Sequence, residues 1–199
     1  MSKTDIPYCD VTWDLTIGCR ERSPGCLCCW ATNIVNRLQA KGVRGYRDQV
    51  GYRGLGWLPT EQVNLLRWNL TKPLRWRQPQ VIFVNSKSDL FDERVPFDFL
   101  AEAFDVMAQC RWHRFLVLTK EPGRMAEFLR GYAAPGRRRM GAAWPEDFPH
   151  VALAVSVESP QYLDRVKVLL ETPAAMRLVS FEPLLEPLAA EFQWLLREN

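Results

Sequence analysis

No stretch of the 199-residue sequence approaches the ~20 consecutive apolar residues that a membrane-spanning helix requires. The opening segment, Met1 to Asp10, has no apolar run of the kind found in secretory signal peptides. Together these absences point to an intracellular protein without a membrane partner. Histidine is scarce: His113 and His150 are the only two. Each precedes a strand-like run at the end opposite the polar groups described below, so neither is expected to be catalytic. Net charge is small at +3, which gives no argument of its own for nucleic-acid binding. The basic run Arg137-Arg138-Arg139 reads as a solvated loop, since a single run is a weak nucleic-acid footprint. Internal repeats and low-complexity tracts are missing, and the length favours one domain spanning 1–199.

What the chain does have is cysteine, six in all, and tryptophan, eight. In a reducing compartment thiols favour metal ligation or catalysis over disulfides. Some tryptophans should be core; others should line a pocket or a contact surface.

Apolar patterning predicts an α/β fold. Val81-Ile82-Phe83-Val84, Phe115-Leu116-Val117-Leu118, Val151-Ala152-Leu153-Ala154-Val155 and Arg177 to Phe181 read as buried strands, and Val11 to Ile17 as the first. Helical spacing follows Pro96 (Phe97, Leu100, Phe104, Met107), Pro122 (Met125, Phe128, Leu129) and Pro160 (Leu163, Val166, Leu170), and covers Cys29 to Gln39. Strands alternating with helices imply βαβ units and a parallel sheet. Five such units suit an open sheet or a partial barrel, because a full eight-unit barrel takes about 250 residues. Loop insertions are expected near 42–59 and 132–149, and Leu66 to Gln80 mixes Trp68 and Trp76 with Arg67, Arg75 and Arg77.

Cys19, Cys26 and Cys29 are spaced C-x6-C-x2-C in a loop containing Pro24 and Gly25. Thiolates bind soft metals, and such a loop lets several converge on one centre. A cubane [4Fe–4S] cluster held by three cysteines leaves one iron open to chelate S-adenosylmethionine (SAM). Zinc is the rival, with Cys9 as a fourth thiolate; unliganded, buried thiols are the plain alternative. Cys28, adjacent to Cys29, is expected to point elsewhere, and Cys110 to lie far away.

Ligands of parallel sheets bind at the carboxyl ends of the strands. Each strand here runs into polar residues: Asn85, Ser86, Ser88 and Asp89; Thr119 and Lys120; Ser156 and Glu158; Ser180 and Glu182. The cysteine loop follows the first strand and should share their rim. Asn85, Ser86, Asp89, Lys120, Ser156, Glu158 and Glu182 are therefore candidate cofactor-binding residues. Ser88, Asp89 and Thr119 are also good helix N-caps. Lys120 with Glu158 or Glu182 could instead form a structural ion pair, because buried charges are costly unless paired.

Five motifs in order carry a family resemblance. They are Asp10 to Cys19 with Ser23-Pro24-Gly25-Cys26-x-x-Cys29-Trp30-Ala31; Pro73 to Arg77 leading into Ile82-Phe83-Val84-Asn85-Ser86-x-Ser88-Asp89-Leu90-Phe91; Leu116 to Lys120 with Pro122, Arg124 and Met125; Val155 to Glu158; and Ser180 to Leu185. Over Val11 to Leu188 the chain resembles the phage gp-thirty-seven/gp-sixty-eight family, grouped with radical SAM proteins. The resemblance implies a partial radical-SAM-like barrel, a 4Fe–4S cluster on Cys19, Cys26 and Cys29, and SAM as a second cofactor. It also implies a phage protein in a bacterial cytoplasm, acting through a 5′-deoxyadenosyl radical on a nucleic-acid or nucleotide substrate. The departures are the long first cysteine gap, Trp30 where the family has tyrosine, and an end at Asn199 before a further βα unit. Those departures bring in a non-catalytic protein that engages a host protein; zinc ligation brings in a zinc-stabilised nucleic-acid-binding module. The last strand is then an edge, and Leu184 to Leu196, with Leu188, Phe192, Leu195 and Leu196, is expected to pack over the sheet as a helix or pair with another chain.

Overall fold

The computed structural model describes residues 4–46, 63–134, 144–145 and 148–188, and the backbone at 52–53 and 56–57. The Arg137-Arg138-Arg139 run lies outside the described residues, as does the tail beyond Leu188; of the segment Leu184 to Leu196 expected as a helix, the described part 184–188 is not helical, with Leu184 and Leu185 exposed and Leu188 buried in the core.

In chain order the elements are β1 (Val11–Trp13), β2 (Thr16–Ile17), α1 (Trp30–Ala40), β3 (Tyr52–Arg53), β4 (Gly56–Trp57), β5 (Asn64–Leu65), β6 (Val81–Val84), α2 (Phe97–Gln109), β7 (Arg114–Thr119), α3 (Pro122–Ala133), β8 (Val151–Ser156), α4 (Asp164–Glu171) and β9 (Met176–Ser180). Five strands form one sheet in the order β1-β6-β7-β8-β9. Every pairing in it is parallel, with Val11 opposite Ile82, Ile82 opposite Phe115, Phe115 opposite Val151 and Ala152 opposite Met176. Spatial order follows sequence order, the outcome of repeated βα units laid down side by side.

Side chains alternate across the sheet. Ile82, Val84, Phe115, Val117, Val151, Leu153 and Val155 are buried in the main core. The helices supply the opposing surface at helical spacing: Phe99, Leu100, Ala103, Phe104 and Met107 of α2, Met125, Phe128 and Leu129 of α3, and Val166 and Leu169 of α4. Phe104 is the aromatic hub. Its ring centroid lies 5.1 Å from Phe128, 5.6 Å from Trp144, 5.7 Å from Tyr132 and 6.2 Å from Phe148. Prolines start α3 and the 3₁₀ turn before α4 at their first positions, where a missing N–H costs nothing.

Three expectations need correction. The stretch Val11 to Ile17 is not one strand. Asn85 turns its side chain into the ladder, and its Oδ1 accepts from the N–H of Leu15 at 2.6 Å and of Thr16 at 3.2 Å. A side chain thus takes the place of the next backbone partner, and the chain leaves the sheet so that β2 can pair antiparallel with β5. The segment 42–59, read as loop, carries the β3–β4 hairpin. In α4 the buried position is Leu169, with Leu170 only partly buried, because a 3₁₀ turn over Pro160–Tyr162 delays the helix to Asp164.

The other row of the sheet has no such helical cover among the described residues. Val81, Phe83, Leu116, Leu118, Ala152, Ala154, Leu178 and Ser180 line a cavity of about 920 Å³. Trp112, one of the exposed tryptophans, lines it as well, whereas Trp13 and Trp144 are core. No described helix is long and apolar enough to cross a membrane.

Candidate functional site

The cysteine loop leaves β2 at Gly18, turns through a 3₁₀ segment at Pro24–Cys26, and enters α1 with Cys29 at its N-cap. It therefore sits at the carboxyl ends of the sheet strands. Cys26 is buried with Ile17, Val35, Tyr46 and Leu66, and Cys19 and Cys29 pack against that group. Cys28 is exposed and Cys110 is buried in the main core. Cys9 donates toward the Ile6 carbonyl before β1. The three cysteines singled out from spacing are thus brought into one neighbourhood, and Cys28 and Cys110 are not part of it.

Of the three sulfurs, Cys26 Sγ accepts from the Arg22 backbone N–H at 3.4 Å and from Lys120 Nζ at 3.5 Å. Cys19 Sγ donates to the Arg20 carbonyl at 3.5 Å, and Cys29, at the start of α1, makes no side-chain cap hydrogen bond. Burial pushes the Cys19 and Cys29 thiols up and outweighs the pull of the nearby backbone amides. Among the described residues, no group of three or more His, Cys, Asp or Glu side chains is arranged to hold a metal ion as it stands.

Under the loop lies a charged knot. Glu158 is fully buried and ion-paired to Lys120 and, at 3.0 Å, to Arg165. Ser23 donates to Glu158 Oε1 at 2.6 Å and accepts from Lys120 Nζ at 2.9 Å. Arg165 also donates to the Ser156 carbonyl at 2.8 Å. Burial alone would raise the Glu158 carboxyl, but Lys120, Ser23 and Arg165 together hold it below its ordinary value. Asp89 goes the other way: burial raises it even though Lys120 N–H, Thr119 Oγ1 and Phe91 N–H all donate to it.

Other rim residues do structural work. Asn85, with φ of 57°, clamps Leu15 and Thr16 and donates to Thr16 Oγ1 at 2.6 Å. Ser86 and Lys87 hold Asp14, and Ser88 donates to the Thr16 carbonyl. Thr119 and Asp89 cap short turns, accepting from Glu121 and Phe91, rather than helix N-termini. Glu182 is exposed and lines the cavity beside Tyr8, away from the Lys120 pair. His113 is buried, and its Nδ1 accepts from Gln80 N–H while Nε2 meets the Pro73 carbonyl, which leaves a neutral ring in a structural post.

Sequence reasoning missed Ser23 and Arg165, which complete the knot, and the ties Arg20–Glu93 and Arg22–Glu121 that fasten the loop. One local sign was available for Ser23, its place in Ser23-Pro24-Gly25. A Cβ on Gly25 would lie 2.8 Å from Glu158 Cγ, 3.0 Å from its Oε1 and 3.2 Å from Pro183. Two cations hold that carboxylate, so it has little room to retreat. Gly25→Ala is expected to lower unfolding free energy by about 1–3 kcal/mol, the usual cost of overpacking, in a urea titration; an unchanged midpoint would show that the loop rides freely on the knot.

Comparisons with curated proteins and with solved structures returned no match. A comparison with protein families matched residues 3–196, nearly the whole chain, and on that span the chain belongs to the family described as "Protein of unknown function (DUF5131)".

Proposed function

We propose that the protein is an iron–sulfur protein of radical-SAM-like type, with Cys19, Cys26 and Cys29 as the three cluster ligands. The observation that carries the reading is the grouping of these sulfurs at the carboxyl ends of the strands, with Cys26 facing the Arg22 N–H and the Lys120 ammonium. Donors of that kind orient thiolate ligands and tune cluster potential. On this reading the sheet is a section of a barrel; its sequential parallel order and the cavity on its other row support that. The donor set suits iron–sulfur in kind, three soft sulfurs with no fourth cysteine beside them in the described cluster. A bound cluster would supply single-electron chemistry with one iron open to an amino-acid chelate, as in SAM.

The chain's own residues have definable tasks around that centre. Lys120 places positive charge at Cys26, offsetting the negative charge of a thiolate-bound cluster. Glu158 and Ser23 hold Lys120 in position. Asp89 fixes the β6 and β7 loops against Cys19. The substrate of that chemistry is proposed to be a nucleotide or nucleic-acid base in a phage setting.

A second reading has its own support. Asn85, Asp89 and Glu158 are each engaged by internal partners, and the Cys19 and Cys29 thiols are held neutral. That arrangement suits a non-catalytic scaffold that engages a host protein, or one that takes up zinc. Anaerobic reconstitution separates them. Wild-type protein is expected to turn brown and hold about four irons per chain, the cluster stoichiometry of this ligand class. Cys19→Ala, Cys26→Ala and Cys29→Ala should each lose that iron, while Cys110→Ala keeps it. Colourless protein with stoichiometric zinc, or full iron in Cys26→Ala, would overturn the assignment.

A further inference from the structure

The cavity on the uncovered row of the sheet has a polarity of its own. Its middle is apolar, built from Phe83, Leu116, Leu118, Ala152, Ala154 and Leu178. At the amino ends of the strands it is closed by Arg111, Arg114 and His150; at the carboxyl ends stand Tyr8 and Glu182. Charge thus changes sign along the strands. The volume, about 920 Å³, falls in the range of small-molecule sites, which are apolar with a few polar groups at fixed places. Met176 and Leu178 remain 44% and 41% exposed on the same face, an apolar surface that a ligand would shield.

We propose that this cavity binds an elongated amphipathic anion, a medium-chain or aromatic carboxylate. Its head group sits at Arg111 and Arg114, and its apolar body lies along Leu116, Ala152, Ala154 and Leu178. Glu182 at the far end repels the head group and so fixes the orientation. A strand of five or six residues is about 17–20 Å long, room for a ten- to twelve-carbon chain. The proposal does not depend on a metal centre, because none of these groups touches the cysteine loop.

The test is calorimetric titration of the full chain with decanoate and, separately, with decylamine, with tryptophan fluorescence followed through Trp112. Decanoate is expected to bind one per chain and at least tenfold more tightly than decylamine. Arg114→Gln, at an exposed position, should weaken decanoate at least fivefold and leave decylamine unchanged. Ala154→Phe should remove decanoate binding; a normal thermal melt would show that the cavity, not the fold, was lost. Three outcomes would overturn the proposal. They are no saturable binding, equal affinity for the two head groups, or one ligand per two chains with a dimer in light scattering. The last would mark the face as an interface between copies.

Discussion

Glu158→Gln lowers the unfolding free energy by about 3–5 kcal/mol, the cost of removing one partner from a buried ion pair and leaving the other charge behind. The carboxylate is wholly buried and answers Lys120, Arg165 and Ser23 at once. Glutamine keeps the shape and removes the charge, so two largely buried cations lose their counter-ion. The effect has a pH signature. The folded Glu158 carboxyl lies below its unfolded value of about 4.3. Its contribution is therefore complete above that value and is lost as pH falls through the folded one. Asp89, raised by burial, has the opposite sign and favours the folded chain as it takes up its proton. Denaturant titrations of wild type and Glu158→Gln should differ most near neutrality and converge in acid. A constant gap down to pH 3 would mean that the charge of Glu158 is not what stabilises the knot.

Phe104→Ala should have a comparable effect, about 3–5 kcal/mol, by a different route. Its ring sits among Phe91, Phe128, Tyr132, Trp144 and Phe148, contributed by α3 and by the loops around it. Truncation opens a space those stiff rings cannot close, and aromatic pair energies of roughly 0.5–1.5 kcal/mol are lost with it. Phe104→Leu, which keeps most of the volume, should recover more than half of the loss. Equal destabilisation by the two variants would locate the energy in ring geometry rather than in filled space.

The elements with long-range apolar regularity were legible. β6, β7 and β8 are short apolar runs of the kind only a doubly covered or half-covered parallel strand tolerates, and α2 and α3 announce themselves by spacing and by proline at their starts. The break between β1 and β2 was not, because it is imposed by Asn85, distant in sequence. The rim was legible as a location, since polar residues must follow buried strands. Which members converge was not. Lys120 and Glu158 follow neighbouring central strands and meet; Glu182 occupies the equivalent place after β9, at the end of the strand order, and stays exposed. Arg165 lies between Leu163 and Val166 on a helix and reads as a solvated position in any periodic count. The Glu158 carboxylate and the Ser156 carbonyl beneath it draw it inward.

Strand order also sets a sequence of events in time. The pairs β6–β7, β7–β8 and β8–β9 each close a modest loop, Ile82 to Phe115 or Ala152 to Met176. Joining β1 to β6 brings Val11 to Ile82 and closes a loop about twice as long. A doubling costs only about 0.6 kcal/mol in closure entropy, but it is paid for the one strand that carries the cysteine loop. The four carboxyl-terminal strands with their helices can therefore assemble first as a nucleus. The segment bearing Cys19, Cys26 and Cys29 then docks late onto Lys120 and Glu158, a kinetic order in which the thiols stay open to solvent until the rest of the sheet is waiting for them.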